Sequence, residues 1–566
     1  MQSKNNKKSK ILKRAGLILV LVLIIPAIEF LLWPGYFNMH DDLQVMRLLE
    51  MDKCLADGQI PCRWAPDMAY GYGQPMFNFY SVLPYYLGSF LRIITQLTYL
   101  STAKMLFLIS FILGAVGMYL LVTEIWGKKA GVLSAILYTY APYHALDVYV
   151  RGALSESFAL GLLPFLWHST YLVVKRPKFT RIVYLAVSTA AVLTTHNISS
   201  MIYVPITLVW AIYWIIREKN RWKVLKGLVI SVVLGVGLAA FFIIPAVYEQ
   251  RLIQTEALIS EYSDYHAHFV SLHQLFIDRS WGDGPSIFGA EDDLSFQIGW
   301  PHWWTGIIIG GIVIAKLLKK KLKEVVLPAI LLFLVVVFSF LTHSRSVFFW
   351  EWLPLIDFVQ FPWRFLGPVI FFLSFVGGYL ATLKLGKQWV VLLVIASIVI
   401  NLSYFTPVHY SHQVREEEKL TGVAFELQQK AAINDYLPKT AEMAPPAKAP
   451  DSPKLIEGEG QLRGFMVRSN RFSFDAEIYQ DAKVEVPVMY FPDWIVMVDG
   501  EEVPVEIIGA HGLISFSVPE GKHIVTARFT NTTVRSVSNA ITILSLMLVL
   551  AGLVMYYKKG RLIHKK

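Results

Sequence analysis

The chain has 566 residues, of which 55% are hydrophobic and only 17% are charged. Soluble domains are usually about 45–50% apolar and about 25% charged, so this composition excludes a disordered chain and a disulfide scaffold and argues against a purely soluble enzyme. The 52 basic and 42 acidic side chains give a net charge of +10. The basic excess lies in short clusters between apolar runs, which is typical of a multi-spanning membrane protein and not of a nucleic-acid-binding surface.

Twelve apolar segments predict membrane spans, with both termini in the cytoplasm. The first, residues 16–33, follows a basic N-terminus and lacks a small-residue cleavage site, so it predicts an uncleaved signal anchor. The others lie near residues 103–124, 130–143, 154–174, 180–195, 200–216, 226–245, 303–317, 325–341, 365–383, 388–405 and 537–557. The orientation follows from placing every basic cluster inside: Lys128–Lys129, Lys175–Arg181, Arg217–Lys226, Lys316–Lys323, Lys384–Lys387 and Lys558–Lys566.

Residues 76–99 are also apolar enough to enter the membrane. A single crossing there would invert every later loop and place most basic clusters outside. We therefore expect this segment to lie along the outer interface, or to enter and return. Its aromatic residues and Pro84 suit an interfacial helix.

Residues 406–536 break the apolar pattern and predict a part outside the membrane. Residues 411–435 look helical and charged, residues 437–460 contain five prolines, and residues from about 461 to 530 alternate as short strands do. The predicted fold is a mainly α-helical transmembrane bundle with an extracytoplasmic β-sandwich. The bundle takes residues 1–405 with outer loops 34–102 and 246–302, the linker and sandwich take 406–536, and the last span and basic tail take 537–566.

The two cysteines, Cys54 and Cys62, lie eight residues apart in the first predicted outer loop. A disulfide is chemically allowed outside the cytoplasm. Two reduced thiols packed in the loop are an equal alternative, because two isolated cysteines are a weak pattern.

An acidic pair, Asp41 and Asp42, follows His40 shortly after the first apolar run ends. Two adjacent carboxylates at a membrane surface cost desolvation energy unless the protein uses them. Either one could act as a general base toward a hydroxyl group, and together they could hold a divalent metal such as Mg²⁺ or Mn²⁺. The alternative is a solvated acidic cap at the start of a helix, which the helix dipole favours.

The residues after this pair carry a family resemblance. The stretch Leu55-Ala-Asp-Gly-Gln-Ile-Pro61, then Arg63-Trp-Ala-Pro-Asp67 and Tyr70-Gly-Tyr-Gly-Gln-Pro75, resembles the GT-C glycosyltransferases, which use sugar linked to a polyprenyl phosphate. The closer resemblance is to a bacterial branch labelled 6-pyruvoyl-tetrahydropterin synthase-related membrane proteins, which are similar to enzymes that decorate lipoteichoic acid. Gln360-Phe-Pro-Trp-Arg-Phe365, Tyr490-Phe-Pro-Asp-Trp494 and Gly521-Lys-His-Ile524 resemble the same branch.

The resemblance implies sugar transfer from a polyprenyl-phosphate carrier to an extracytoplasmic acceptor, such as a cell-surface polymer or a glycolipid, in a bacterial cell membrane. It implies Asp41 as the leading base or metal ligand and Asp42 as the second, although many relatives have Asp-Glu here, which leaves the choice open. It does not imply pterin chemistry, because no histidine cluster lies beside the cysteines. No Gly-rich phosphate loop occurs, so nucleotide use is not expected.

Further candidates lie near the predicted outer ends of other spans. Arg364 suits the donor phosphate through bidentate hydrogen bonds, with an interfacial anchor as the alternative. Arg151 is a second phosphate candidate, although structural pairing with Asp147 at i,i+4 is the slightly favoured interpretation. The candidate substrate-binding residues are His40, Glu156, His196, Trp64 and Tyr72.

Other polar and aromatic groups are weaker candidates. Two clusters could bind a metal: Glu261, Asp264, His266 and His268, and Glu291, Asp292 and Asp293. Four tryptophans could stack on sugar or line the membrane interface: Trp281, Trp300, Trp303 and Trp304. The isolated candidates are His144, His343 and Arg345. A lipid or glycan flippase is the rival function, but it would need polar groups deep in several helices. A non-catalytic membrane assembly protein is the third alternative.

Overall fold

The computed structural model describes residues 14–383, except 288, 290, 291 and 293, and residues 387–564. The basic residues before Arg14, the predicted cluster at 384–386 and the last two lysines lie outside the described residues. The chain divides into two compact units, each built from separate segments. Unit 1 holds the residues up to Asp42, Ala103–Val233 and Ile259–Val414, and unit 2 holds Leu43–Thr102, Leu234–Leu258 and the residues from Arg415 onward.

Eight helices in the described part of the chain are long and apolar enough to cross a membrane. They are Tyr99–Trp126, Leu154–Lys175, Asn197–Ile215, Arg221–Leu252, Trp300–Leu318, Leu322–Leu341, Pro362–Thr382 and Thr533–Lys558. Arg14–Leu23 and Ile25–Leu32 meet at an angle of 47° and would make a ninth span if taken together.

The predicted count of twelve spans is not confirmed, although each predicted segment contains a helix. Lys128–Thr139, Phe179–Thr195 and Lys387–Asn401 have 12, 17 and 15 residues, fewer than the roughly 20 that a span requires. Two backbone breaks beside these short helices lie between predicted segments. Gly127 has φ +87° between two helices, and His196 is extended where the Phe179–Thr195 helix ends.

The segment 76–99 forms two short helices, Met76–Phe79 and Leu83–Thr95. The second has 13 residues and is therefore about 20 Å long, short of the roughly 30 Å hydrocarbon core of a bilayer. Phe90, Ile93 and Ile94 are exposed along one stripe of this helix.

In the described part of the chain, the strands form two sheets. In unit 1, β1 (Tyr36–Phe37) pairs antiparallel with β2 (Tyr410–Ser411). The strands of unit 2 are β3 Lys454–Arg468, β4 Arg471–Met489, β5 Trp494–Val498, β6 Glu501–Val503, β7 Glu506–Ile508, β8 Leu513–Val518 and β9 Gly521–Phe529. They form one antiparallel sheet in the order β6-β5-β9-β4-β8-β7, with β3 also paired to β4.

The predicted two-layer sandwich is not confirmed, because the 19-residue strand β4 joins both halves of the sheet. β4 pairs with β9 along Arg471–Ile478 and with β8 along Ala482–Met489. Alternating residues on both sides of Gln480 and Asp481 predicted two strands, but the backbone continues through them as one. The buried side chains of this strand, including Val484 and Val486, form part of the core of unit 2.

Candidate functional site

Two backbone hydrogen bonds hold the acidic segment of unit 1 against the chain at residue 151. The N–H of His40 donates to the carbonyl of Val150, and the N–H of Asp41 donates to the carbonyl of Arg151, each at 2.9 Å. Gly152 makes this approach feasible: it has φ +63°, and a Cβ there would lie 2.2 Å from Sδ of Met39. A predicted base and a predicted phosphate ligand are thus neighbours through their main chains.

The acidic pair lies beside a buried tyrosine that sequence reasoning missed. Burial raises the pKa of Tyr36 well above its usual value, and the negative charges of Asp42 and Asp41 raise it further. Both carboxylates are half-buried. His40 is exposed, and its Nε2 lies 2.7 Å from the carbonyl oxygen of Asp283. No sequence pattern pointed to Tyr36, because its link to the pair depends on the turn after the first helix.

Arg151 is the centre of a buried charge cluster. Its guanidinium forms ion pairs with Asp147 and, at 2.9 Å, with Glu156, and it lies 4.2 Å from the ring centroid of Trp363. Burial alone would lower the pKa of Arg151, but the charges of Glu156 and Asp147 raise it above its usual value. The i,i+4 pair with Asp147 is present, and Glu156 is an additional partner.

Arg364 reaches the same carboxylate from another helix. Its Nε lies 3.5 Å from Oε2 of Glu156, and its Nη1 donates to the carbonyl of Val359 and to Oε1 of Gln360, each at 2.7 Å. The other oxygen of Glu156 accepts a hydrogen bond of 2.6 Å from the Tyr143 hydroxyl. Glu156 therefore holds two guanidinium groups close together.

His196 borders this cluster at the start of the Asn197–Ile215 helix. Burial lowers the pKa of His196 to about 3, although the charge of Glu156 opposes the shift. The ring is therefore neutral at pH 7, and its Nδ1 accepts a hydrogen bond from the N–H of Ser199 at 3.3 Å. A neutral imidazole beside a carboxylate and two arginines adds a hydrogen-bonding group without adding charge.

Trp64 and Tyr72 lie in unit 2 and contact the sheet. Trp64 is only 1% exposed, and its ring centroid lies 5.2 Å from that of Phe529 and 5.6 Å from that of Trp494. Gly73 allows this packing, since a Cβ there would lie 2.4 Å from Nε1 of Trp64. The carbonyl of Tyr72 accepts a hydrogen bond from the N–H of Met489 at 3.0 Å. In this position Trp64 packs in the core.

Arg63, in the same motif, belongs to a second buried network within unit 2. It donates to Oδ1 of Asn78 at 2.8 Å and to Oδ1 of Asn539 at 3.0 Å. Asn78 in turn donates to Glu249 at 2.7 Å, and Glu249 pairs with Arg535 at 3.0 Å. This network links the first loop to the final helix.

Cys54 and Cys62 form a disulfide in unit 2. The bond joins the end of the Gln44–Ala56 helix to the loop that follows it.

The weaker histidine and acidic candidates have ordinary partners where the structure describes them. Nδ1 of His266 lies 2.7 Å from Asp264, and both ring nitrogens of His268 contact carbonyl oxygens, those of Ser286 and Tyr262. Asp292 accepts a hydrogen bond from Gln274 at 2.9 Å. The side chain of Glu261, and Glu291 and Asp293 altogether, lie outside the described residues.

The remaining candidates also have local partners. His144 packs edge-on against Tyr138, with ring centroids 4.6 Å apart, and His343 accepts a hydrogen bond from the N–H of Arg345. The four tryptophans also have local partners. Trp281 donates to the carbonyl of Thr406, and Trp303 stacks on Trp304. The ring centroid of Trp300 lies 5.0 Å from the guanidinium of Arg279.

Among the residues that the structure describes, no three His, Cys, Asp or Glu side chains converge as a metal site. Asp41 and Asp42 offer two adjacent carboxylates, and Mg²⁺ is commonly held by one or two carboxylates together with water and substrate phosphates.

The fold and site define an α-helical membrane protein with buried charges where several helices begin, and with a separate β-sheet domain. Residues 77–277 match the family described as "6-pyruvoyl-tetrahydropterin synthase related domain; membrane protein". A protein of Lactococcus lactis subsp. cremoris (strain MG1363), described as uncharacterized, is 25% identical over 238 residues. That alignment covers 40% of this chain and 38% of the relative, so it spans less than two thirds of the relative's length.

Three solved structures are similar at low sequence identity. Arabinofuranosyltransferase AftD from Mycobacteria has a TM-score of 0.44 and 13% identity, over 72% of this chain and 28% of its own. The apo oligosaccharyltransferase of Archaeoglobus fulgidus has a TM-score of 0.39 and 13% identity, over 76% and 57%. ArnT from Cupriavidus metallidurans, bound to undecaprenyl phosphate, has a TM-score of 0.34 and 13% identity, over 74% of each chain.

Proposed function

We propose that the protein is a GT-C-type glycosyltransferase that moves a sugar from a polyprenyl-phosphate carrier to an acceptor outside the cytoplasm. The acceptor class is a cell-surface polymer or a glycolipid. The proposal joins the motif resemblance of the first loop to the charge arrangement of unit 1.

One observation carries the proposal: the hydrogen bond from the Asp41 N–H to the Arg151 carbonyl. It places the acidic pair beside a cluster in which Arg151 and Arg364 share the carboxylate of Glu156. Sugar transfer from a lipid phosphate needs a base for the acceptor hydroxyl and cations for the leaving phosphate. The main chain of Asp41 and that of one of these cations, Arg151, are hydrogen-bonded neighbours here.

The ends of the helices support an extracytoplasmic site. Glu156, His196 and Arg364 lie at the first turns of their helices or just before them, and each helix is followed by a basic segment at its other end. Cytoplasmic loops carry the excess of Lys and Arg, so the charge cluster faces the opposite side. The disulfide in unit 2 also fits an oxidising compartment.

The proposed step moves the sugar from the lipid phosphate to the acceptor hydroxyl. The carboxylate of Asp41 or Asp42 accepts the proton of the acceptor hydroxyl, and the freed oxygen attacks the anomeric carbon of the sugar. The bond from that carbon to the phosphate oxygen breaks, and the polyprenyl phosphate leaves with the electron pair. Arg151 and Arg364 stabilise the charge on this phosphate, while Glu156 and Tyr143 hold the guanidinium groups in place. Mg²⁺ bound to the acidic pair would supply additional charge at the phosphate.

The first test replaces the base. Asp41→Asn keeps the size and most hydrogen bonds of the side chain, so protein level should stay near normal while sugar transfer falls by about 10²–10⁴-fold; Asp42→Asn should be strongly impaired. Transfer is read by mass spectrometry of surface polymers and glycolipids from cells carrying each variant. Asp451→Asn, in the exposed linker, is the matched control. Wild-type transfer by both site variants would reject the assignment and favour the flippase or assembly role.

The second test separates donor binding from proton transfer. Arg364→Ala removes one guanidinium but leaves the acidic pair, so it should weaken binding of undecaprenyl phosphate to the purified protein, whereas Asp41→Asn should bind it normally. Native mass spectrometry in detergent measures the bound fraction. Arg345→Ala, in the preceding loop and exposed, is the control. Equal binding by the Arg364 and Arg345 variants would remove Arg364 from the phosphate site.

A further inference from the structure

The turn between β3 and β4 lies at the end of the sheet from which the last membrane span begins. Ser469 and Asn470 form this turn, with Arg468 paired to Arg471. The carbonyl of Asn470 accepts a hydrogen bond from the N–H of Phe529, the last residue of β9, at 2.9 Å. The helix Thr533–His564 starts shortly after Phe529, so the β3–β4 turn lies near the start of the last candidate span.

Apolar side chains are exposed beside this turn. Met466 is 65% exposed and Val467 is 46% exposed at the end of β3. Ile60, 75% exposed, lies in the adjacent loop of unit 2. Asp57 ties the two segments together, since its carboxylate accepts a hydrogen bond of 2.7 Å from the N–H of Ser469.

The charges near the turn differ from those at the far end of the sheet. Arg468, Arg471 and Arg528 lie within one residue pair of the turn, and Arg468 pairs with Asp57 at 3.5 Å, so three arginines exceed the one carboxylate there. The loop at the start of β9 instead carries carboxylates, with the N–H of Glu520 bonded to Asp481 at 2.9 Å. Arginines are favoured beside anionic lipid headgroups, and their apolar stems can lie along the hydrocarbon boundary.

The Leu83–Thr95 helix of unit 2 contacts the loop that carries Ile60 and also has exposed apolar residues. The hydroxyl of Tyr86 accepts a hydrogen bond of 2.8 Å from the N–H of Cys62, two residues beyond Ile60. Phe90, Ile93 and Ile94 are exposed further along this helix. Helices with such a stripe lie flat in the interface between headgroups and acyl chains.

We infer that Met466, Val467 and Ile60 form a membrane-contacting foot of the β-sheet domain, inserted among the lipid headgroups where the Thr533–His564 helix enters the bilayer. The partner is an anionic phospholipid surface, and Arg468 binds its phosphates. The foot holds the sheet domain at the membrane at a second point besides its helix. The inference does not depend on the proposed sugar transfer.

The test uses the full chain in nanodiscs that hold one copy each, made with phosphatidylglycerol and phosphatidylcholine. Because both native cysteines form a disulfide, Met466→Cys provides a single labelling site for an environment-sensitive fluorophore. Its emission should shift to shorter wavelength and be quenched by lipids with a nitroxide near the headgroup. Glu520→Cys is the control, because Glu520 lies at the far end of the sheet, next to Gly521. Gly521 pairs with Ile478, which is seven residues from Arg471, so the control site is about 24 Å along β4 from the turn. The control probe should show neither change.

The result that overturns the inference is a Met466→Cys probe that emits as in water and is not quenched. If a second copy of the chain, and not lipid, covered these residues in the cell, the probe would also emit as in water, because each disc holds one copy and leaves them uncovered. Adding Arg468→Glu should reduce the quenching in phosphatidylglycerol discs and leave it nearly unchanged in pure phosphatidylcholine. Equal quenching in both lipids, with or without Arg468→Glu, would remove the arginine from the contact.

Discussion

Gly152→Ala tests whether the contact between the Asp41 segment and Arg151 is essential to the site. An alanine Cβ would lie 2.2 Å from Sδ, 2.5 Å from Cγ and 2.8 Å from Cβ of Met39. A change of rotamer could move Sδ and Cγ but not Cβ, so the backbone of residues 39–41 must move. That movement separates His40 and Asp41 from their carbonyl partners.

The magnitude follows from two contributions. A left-handed φ costs an alanine about 1–2 kcal/mol, and loss of the two backbone hydrogen bonds costs about 0.5–1.5 kcal/mol each. The total destabilisation is about 2–5 kcal/mol. If the acidic pair moves by about 1 Å, the proposed transfer should fall by about 10²-fold.

Thermal unfolding of the purified protein in detergent measures the first effect, and mass spectrometry of surface glycans measures the second. Gly127→Ala is the matched control, because Gly127 has φ +87° but a Cβ added there would meet nothing within 4 Å; it should lose only the strain energy and keep transfer. Met39→Gly combined with Gly152→Ala removes the clashing Cβ as well and should recover part of the lost transfer. If Gly152→Ala unfolds and transfers like Gly127→Ala, the reasoning is refuted.

Two further predictions concern unit 2. Arg535→Met leaves Glu249 buried without its cation and should destabilise the protein by about 3–5 kcal/mol, and adding Glu249→Leu should recover part of that loss; equal unfolding temperatures of the single and double variants would contradict this. His523 pairs with Asp499 at 2.7 Å. The hydrogen bond to Asp499 raises the pKa of His523. Hydrogen bonds from the backbone N–H of Ile524 and from His523 lower the pKa of Asp499. The pair therefore stabilises the sheet domain between the two pKa values, and its contribution is lost as pH rises through the pKa of His523. His523→Gln should lower the thermal unfolding temperature more at about pH 5.5 than at about pH 8.5. A difference in unfolding temperature that grows with pH would contradict the pairing.

The sequence predicted where helices occur better than which of them are long enough to cross a membrane. Apolar runs identify segments that avoid water, and each predicted run contains a helix. The runs 130–143 and 180–195 were counted as spans, but the helices there have 12 and 17 residues, fewer than the roughly 20 that a span requires. The strands were predicted because apolar and polar residues alternate along them. The continuity of β4 was missed because Gln480 and Asp481 interrupt that alternation as a turn would.

The candidate site shows a similar division. Residue chemistry pointed to Asp41, Arg151, Glu156 and Arg364, and three of these four share ion pairs. The contact that joins Asp41 to Arg151 is between backbone atoms, whose partners leave no trace in side-chain types. Gly152 was the available signal, since a glycine directly after a candidate arginine often permits close approach of another chain segment.

The shared strand β4 has a consequence for the order of events during synthesis. β3 and β4 can pair as soon as both leave the ribosome, because a two-residue turn joins them. The first half of β4 must wait for β9, the last strand, and the helix Thr533–His564 follows β9 almost at once. Closure of the sheet and insertion of the last helix are therefore nearly simultaneous, and a chain that stalls before residue 521 would expose the edge of β4 to aggregation.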